Sequence, residues 1–131
     1  SHIEVERSYG NIVIRFPEHI SFPTASANLQ LDFIPILDRV AAVLQGNHRS
    51  IVVVGHTDNR SIATARFRSN WDLSAARASS VVHRLLKQTP FSAQQIIAQG
   101  RADSIPMFPN DTPENQAKNR RVEIIITAES Q

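Results

Sequence analysis

The sequence predicts an α/β (α+β) two-layer sandwich, with helices packed on one mixed sheet. Three observations carry that expectation. Ile51-Val52-Val53-Val54 is a short, β-branched, all-apolar run of the kind that forms an interior strand. Two longer segments, after Asp32 and after Ser69, repeat apolar residues at helical spacing. Strand-like and helix-like segments alternate along the chain without a linker, repeat or low-complexity stretch, so one domain over residues 3–128 accounts for it. Ser1-His2 reads as a tag remnant.

Taken in order, Ile3 and Val5, then Ile12, Ile14 and Phe16, alternate with polar residues around Ser8-Tyr9-Gly10-Asn11, which reads as a β-hairpin. Pro17 to Asn28 reads as a loop. A helix follows Asp32, with Pro35 in its first turn and an apolar stripe of Ile36, Leu37, Val40, Val43 and Leu44, and Gly46-Asn47 stops it. After the interior strand, Gly55 to Asn70 is a long polar loop. Ser69-Asn70-Trp71-Asp72 has capping-box spacing and opens a helix to about Gln88, with Ala75, Ala78, Val82, Leu85 and Leu86 as its buried stripe. Ile96 to Gln99 reads as a short strand, Thr112-Pro113-Glu114 as a helix start, and Val122 to Thr127 as the last strand.

Composition narrows the function. The chain has 131 residues, 41% apolar and 20% charged, with no cysteine and no apolar run near the roughly 20 residues of a membrane span. Disorder, a disulfide scaffold and a Cys-ligated metal site are excluded on those grounds. The net charge of +2 hides an asymmetry: Arg49 to Arg101 holds eight basic residues and two acids, Asp58 and Asp72, whereas the flanks are acidic. A basic middle points to an anionic or zwitterionic partner, with a solvated surface as the plainer alternative. Only Phe67 and Trp71 accompany it, without the aromatic interleaving of a nucleic-acid surface.

The chemistry is expected in Gly55-His56-Thr57-Asp58-Asn59, because loops leaving the C-terminal ends of interior strands are where such folds hold ligands. Gly55 would allow a sharp turn. Asp58 and Arg77, from the following helix, can approach each other, either as a zwitterion-binding pair or as a plain salt bridge. His56 and Asp58 alone are too few for a metal site. No Gly-x-Ser-x-Gly, phosphate-cradling loop or nucleophile–base pair occurs, so neither an enzyme nor a cofactor is expected.

Three separated motifs, Val54-Gly55-His56-Thr57-Asp58-Asn59, Ser69-Asn70-Trp71-Asp72-Leu73-Ser74-Ala75-Ala76-Arg77-Ala78 and Asn119-Arg120-Arg121-Val122-Glu123, occur in order. Together they resemble the OmpA-like C-terminal domain, over essentially Ile3 to Thr127. The resemblance implies a β/α/β/α/β fold and non-covalent binding of the peptidoglycan stem peptide through its meso-diaminopimelate. It implies Asp58 and Arg77 as the principal ligand residues, Asn70, Leu73 and Thr57 lining the pocket, and Arg120 contacting the peptide or bracing the site. Phe22 and Thr24 would form the other wall, where Pro23 stands in a position commonly acidic. The Ala65-Arg66-Phe67-Arg68-Ser69-Asn70-Trp71 segment resembles inner-membrane-anchored members, the MotB-like flagellar stators and the TssL-like components of type VI secretion. Leu31-Asp32-Phe33-Ile34-Pro35-Ile36-Leu37-Asp38-Arg39 is more similar to the secretion group. The implied setting is a periplasmic domain of an inner-membrane-anchored protein in a Gram-negative bacterium, with peptidoglycan and inner-membrane complex subunits as partners and the anchor N-terminal to Ser1. The alternatives are a stator anchor, or a dimerisation or protein-docking module (a homodimer) whose pocket has degenerated.

Overall fold

Alternation and periodicity translate into strands and helices nearly where expected. A computed structural model describes residues 2–45 and 50–127. The chain forms β1 (Glu4–Ser8), β2 (Asn11–Pro17), α1 (Glu18–Ser21), α2 (Phe33–Leu44), β3 (Ile51–His56), α3 (Asn70–Gln88), β4 (Ile96–Gly100), α4 (Pro113–Asn119) and β5 (Arg121–Ile126). The expected helix stop at Gly46-Asn47 lies outside the described residues. Tyr9 and Gly10 both take positive φ, 52° and 82°, the type I′ pattern whose twist suits a two-residue hairpin.

The five strands form one mixed sheet in the order β1-β2-β5-β3-β4, with β3 and β4 parallel and the other neighbours antiparallel. Period-2 alternation sorts the side chains. Ile12, Ile14 and Phe16 of β2, Val122, Ile124 and Ile126 of β5, and Ile51 and Val53 of β3 share the face that α2 and α3 cover. Phe16, Phe22 and Phe33 meet edge-to-face there, with ring centroids 5.0 and 6.1 Å apart. Each buried ring contributes roughly 1.5–3 kcal/mol by leaving water.

The opposite face is polar toward one end. Glu123 accepts from Arg15 and Arg121 at 2.9 Å each, and His56 Nε2 lies 3.5 Å from it. Burial pushes the Glu123 carboxyl up, but the contacts from His56, Arg15 and Arg121 outweigh it and hold the carboxyl well below the usual carboxylate range. The 105–110 segment closes over this end, tied down by Arg121 Nη2 donating to Ile105 O and by the buried Asn119 side chain.

Several local expectations are corrected. Residues 18–21, read as loop, form α1. On α2 the buried residues are Phe33, Leu37, Ala41 and Leu44, whereas Val43 is 80% exposed. The buried face of α3 is Leu73, Ser74, Arg77, Ala78, Val81 and Leu85, with Ala75 and Leu86 exposed. Gly55 is a strand residue without positive φ, not a turn. A Cβ at Gly55 would stand 2.3 Å from Ser74 O, and one at Gly100 2.5 Å from Ala75 N, so both glycines let α3 lie against the sheet.

Candidate functional site

Topology gathers the site at one edge of the sheet. Because β5 runs antiparallel to both β2 and β3, its first residue, Arg121, pairs with Pro17 and His56 at their C-terminal ends. Arg120 is thereby set between the segment that leads into α1 and the loop after β3. The Glu18 amide donates to Arg120 O at 3.0 Å, and the Thr57 amide donates to Ala102 O at 2.9 Å.

Four charged side chains form an alternating line. Asp58 Oδ2 accepts from Arg120 Nη1 at 2.7 Å, and Arg120 Nε donates to Glu18 Oε1 at 2.9 Å. Glu18 Oε2 in turn accepts from Arg77 Nη1 at 2.9 Å. Arg77 also donates from Nε to Ser26 O at 2.7 Å and from Nη2 to Pro23 O at 3.0 Å, and its guanidinium lies 5.0 Å from the centroid of the Phe22 ring. Asp58 and Arg77 are therefore brought to one site but not into a direct salt bridge; Arg120 and Glu18 stand between them.

The electrostatics follow from burial and pairing. Burial pushes the Asp58 carboxyl up, but Arg120 and the amide and guanidinium of Arg60 more than offset it, so it lies below its ordinary value. Burial lowers Arg77, with Glu18 opposing; for Arg120, the bonds to Asp58 and Glu18 outweigh burial and raise it.

The remaining expected residues surround this line. Thr57 is buried, its hydroxyl donating to Asp58 O at 2.8 Å. Ser69 caps α3 as the capping spacing predicts, accepting from the Trp71 and Asp72 amides, while Asp72 reaches back to the Arg68 amide. Asn70, in the first turn, donates from Nδ2 to Arg60 O at 2.9 Å. Leu73 is buried one turn before Arg77. Phe22 is 1% exposed and belongs to the core beneath Arg77, and Thr24 is exposed on the loop that Arg77 holds by its two carbonyls. Pro23 contributes its carbonyl to Arg77. Sequence reasoning missed Glu18, whose partners lie 59 and 102 residues away. A proline followed by an acid marks the start of α1, and no local signal marks the pairing.

The arrangement suits binding. Arg120 Nη2 makes no hydrogen bond among the described residues, and the side chain is 23% exposed, so its outer edge can take a carboxylate. Among the described residues no group of three His, Asp or Glu side chains is placed to hold a metal ion, and no helix is long and apolar enough to cross a membrane.

A mixed sheet with helices on one face and a charged line at the end of β3 defines an α/β domain of the two-layer kind. The chain belongs to the OmpA family, which matches residues 21–120. It is 37% identical over 126 residues to the uncharacterized protein YtxE of Bacillus subtilis and 31% identical over 125 residues to Motility protein B of the same organism. These alignments cover 96% and 95% of this chain but 52% and 48% of the relatives, so the chain spans about half their length. Among solved structures, the cell wall anchor of the type VI secretion system from Pseudomonas aeruginosa superposes with a TM-score of 0.89 at 40% identity, covering 97% of this chain and 88% of that one. The periplasmic domain of Helicobacter pylori MotB (its residues 97–256) superposes with a TM-score of 0.84 at 27% identity, covering 97% and 89%. The P. aeruginosa protein is named as a cell wall anchor and the second B. subtilis relative as a motility protein.

Proposed function

We propose that this domain is a non-enzymatic anchor that binds the peptidoglycan stem peptide at the Asp58–Arg120–Glu18–Arg77 line. The observation that carries the reading is the order of charges along that line. A buried carboxylate stands beside a guanidinium with an exposed edge, which complements a group bearing an ammonium and a carboxylate. The distal end of meso-diaminopimelate is such a group. Its ammonium would sit on Asp58 and its carboxylate on Arg120, with Arg77 holding Glu18 and the 22–26 loop in place from behind. Thr57, Asn70 and Leu73 support one wall of the site, and Phe22 and Thr24 the other.

Membership of the OmpA family and the 40% identity to a cell wall anchor support this reading. The same identity favours a secretion-type anchor, in a periplasm and joined to inner-membrane complex subunits. A flagellar stator anchor is the second reading, and the B. subtilis Motility protein B match over 95% of the chain favours it.

Co-sedimentation with purified sacculi tests the site. Wild-type protein is expected in the pellet, and Asp58→Ala should lose binding by about tenfold or more, because a ligand ammonium left without its charged partner costs roughly 1.5–3 kcal/mol. Asp58→Ala pelleting like wild type would overturn the site. Absence of wild-type binding, with a concentration-dependent dimer, would favour a docking module instead.

A further inference from the structure

The line of charges has a fifth member with a different character. Arg60 lies two residues after Asp58, and its guanidinium covers the same carboxylate from the solvent side. Nε and Nη2 both approach Asp58 Oδ2 at 3.1 Å, while the Arg60 amide donates to Oδ1 at 2.9 Å. The Asp58 side chain is 5% exposed and the Arg60 side chain 65%. Arg120 already holds Oδ2 from the inner side. A cation arriving from solvent at Asp58 therefore meets a position that the protein's own guanidinium fills.

The backbone at this point is held from two sides, whereas the guanidinium is held by Asp58 alone among the described residues. The Arg60 amide is tied to Asp58 and the Arg60 carbonyl to Asn70 Nδ2 at 2.9 Å. The adjacent Asn59 side chain accepts from Gln116 Nε2 at 3.2 Å. The loop is thus clamped by α3 on one side and α4 on the other. The Arg60 guanidinium makes no other hydrogen bond among the described residues, so it can leave Asp58 by side-chain rotation alone. Its departure also changes the charge balance. Asp58, Glu18, Arg77 and Arg120 sum to zero, and Arg60 adds one positive charge. A zwitterion that takes its place brings an ammonium for Asp58 and a carboxylate for the guanidiniums, and releases the 65% exposed Arg60 side chain to water.

We propose that Arg60 is an internal stand-in for the ligand ammonium. It occupies the cation position on Asp58 and is displaced when a ligand binds, setting both the affinity of the site and its demand for a cationic group. This rests on the proposed function only in that the displacing group is the diaminopimelate ammonium. The energetic scale is modest, because an ion pair with one exposed partner is worth no more than about 1 kcal/mol. Removing the competitor should therefore strengthen binding by about two- to fivefold.

The test is a calorimetric titration of a soluble stem tripeptide ending in meso-diaminopimelate into four proteins: wild type, Arg60→Ala, Arg66→Ala as an exposed-loop control, and Asp58→Ala. Arg60→Ala retains the backbone hydrogen bonds that hold the loop, and circular dichroism checks its fold. Tighter binding by Arg60→Ala, with Arg66→Ala unchanged and Asp58→Ala silent, is the expected result. Binding by wild type with Arg60→Ala equal or weaker overturns the stand-in and leaves the site reading intact. Binding by none of the four overturns the site reading, and the stand-in with it.

Discussion

Glu18 receives guanidinium donors from Arg77 and Arg120, and this pairing is what joins two residues that sequence motifs mark separately. Asp58, Arg77 and Arg120 are legible in the sequence because each sits in a motif of its own. Glu18 is not, because nothing nearby in the chain records a partner across the sheet. The Asn119-Arg120-Arg121 cluster shows the same limit. Its neighbouring side chains do three separate things: Asn119 clamps the 107–110 loop, Arg120 enters the charged line, and Arg121 crosses to Glu123 on the other face. Asn119 ends α4, Arg120 joins the two elements and Arg121 opens β5, so the three side chains leave the chain in different directions. Arg77, expected from its motif as a ligand residue, has a structural part in this fold. It is 3% exposed and satisfies Glu18 and two backbone carbonyls. Arg77→Ala should therefore cost about 3 kcal/mol or more in urea unfolding, since Glu18 loses one of its two guanidinium donors and two backbone carbonyls lose theirs. Asp58→Ala is the cleaner probe of binding for that reason.

Element existence is legible where periodicity is long, and element orientation is not. The interior strand, the hairpin and the three longer helices fall where apolar spacing and capping residues place them. The faces of α2 and α3 are rotated from the expected stripes. Phe33 and Ala41 take core positions ahead of Val43, and α3 turns Arg77 inward where an apolar count would not put it. The α1 helix is one turn long, too short for any periodic signal. The seating of α3 on the sheet depends on Gly55 and Gly100, and this yields a prediction for the element as a whole. Gly55→Ala puts a methyl where Ser74 O stands, so α3 must move away from β3. The expected cost is about 1–3 kcal/mol in the urea midpoint. Asp58 and Arg77, each three residues from the clash, should lose tripeptide affinity together. An unchanged midpoint would show that the close approach is not needed.

At the scale of the molecule, the fold class follows from the order of elements, but the strand order does not. Placing β5 between β2 and β3 joins residues more than 70 positions apart, such as Val53 with Ile124 and Ile14 with Ile124, and local pattern is blind to it. That insertion is also what creates the site, because it sets the start of β5 beside the ends of both neighbours. The basic middle of the chain acquires a sharper meaning in three dimensions. Arg77 and Arg84 pair internally with Glu18 and Asp38, Arg68 pairs with Asp72, and Arg60 covers Asp58. Four of the eight basic residues of this stretch are thus held in ion pairs within the domain. The alternating Asp58–Arg120–Glu18–Arg77 line at the sheet edge is the feature proposed to take one small zwitterion. The most direct measurement is a titration of wild-type protein with two stem tripeptides, one ending in free meso-diaminopimelate and one with its distal amine acetylated. Saturable binding of the free form, and loss of about tenfold or more on acetylation, is the result predicted by an ammonium on Asp58. Equal binding of the two forms would contradict it.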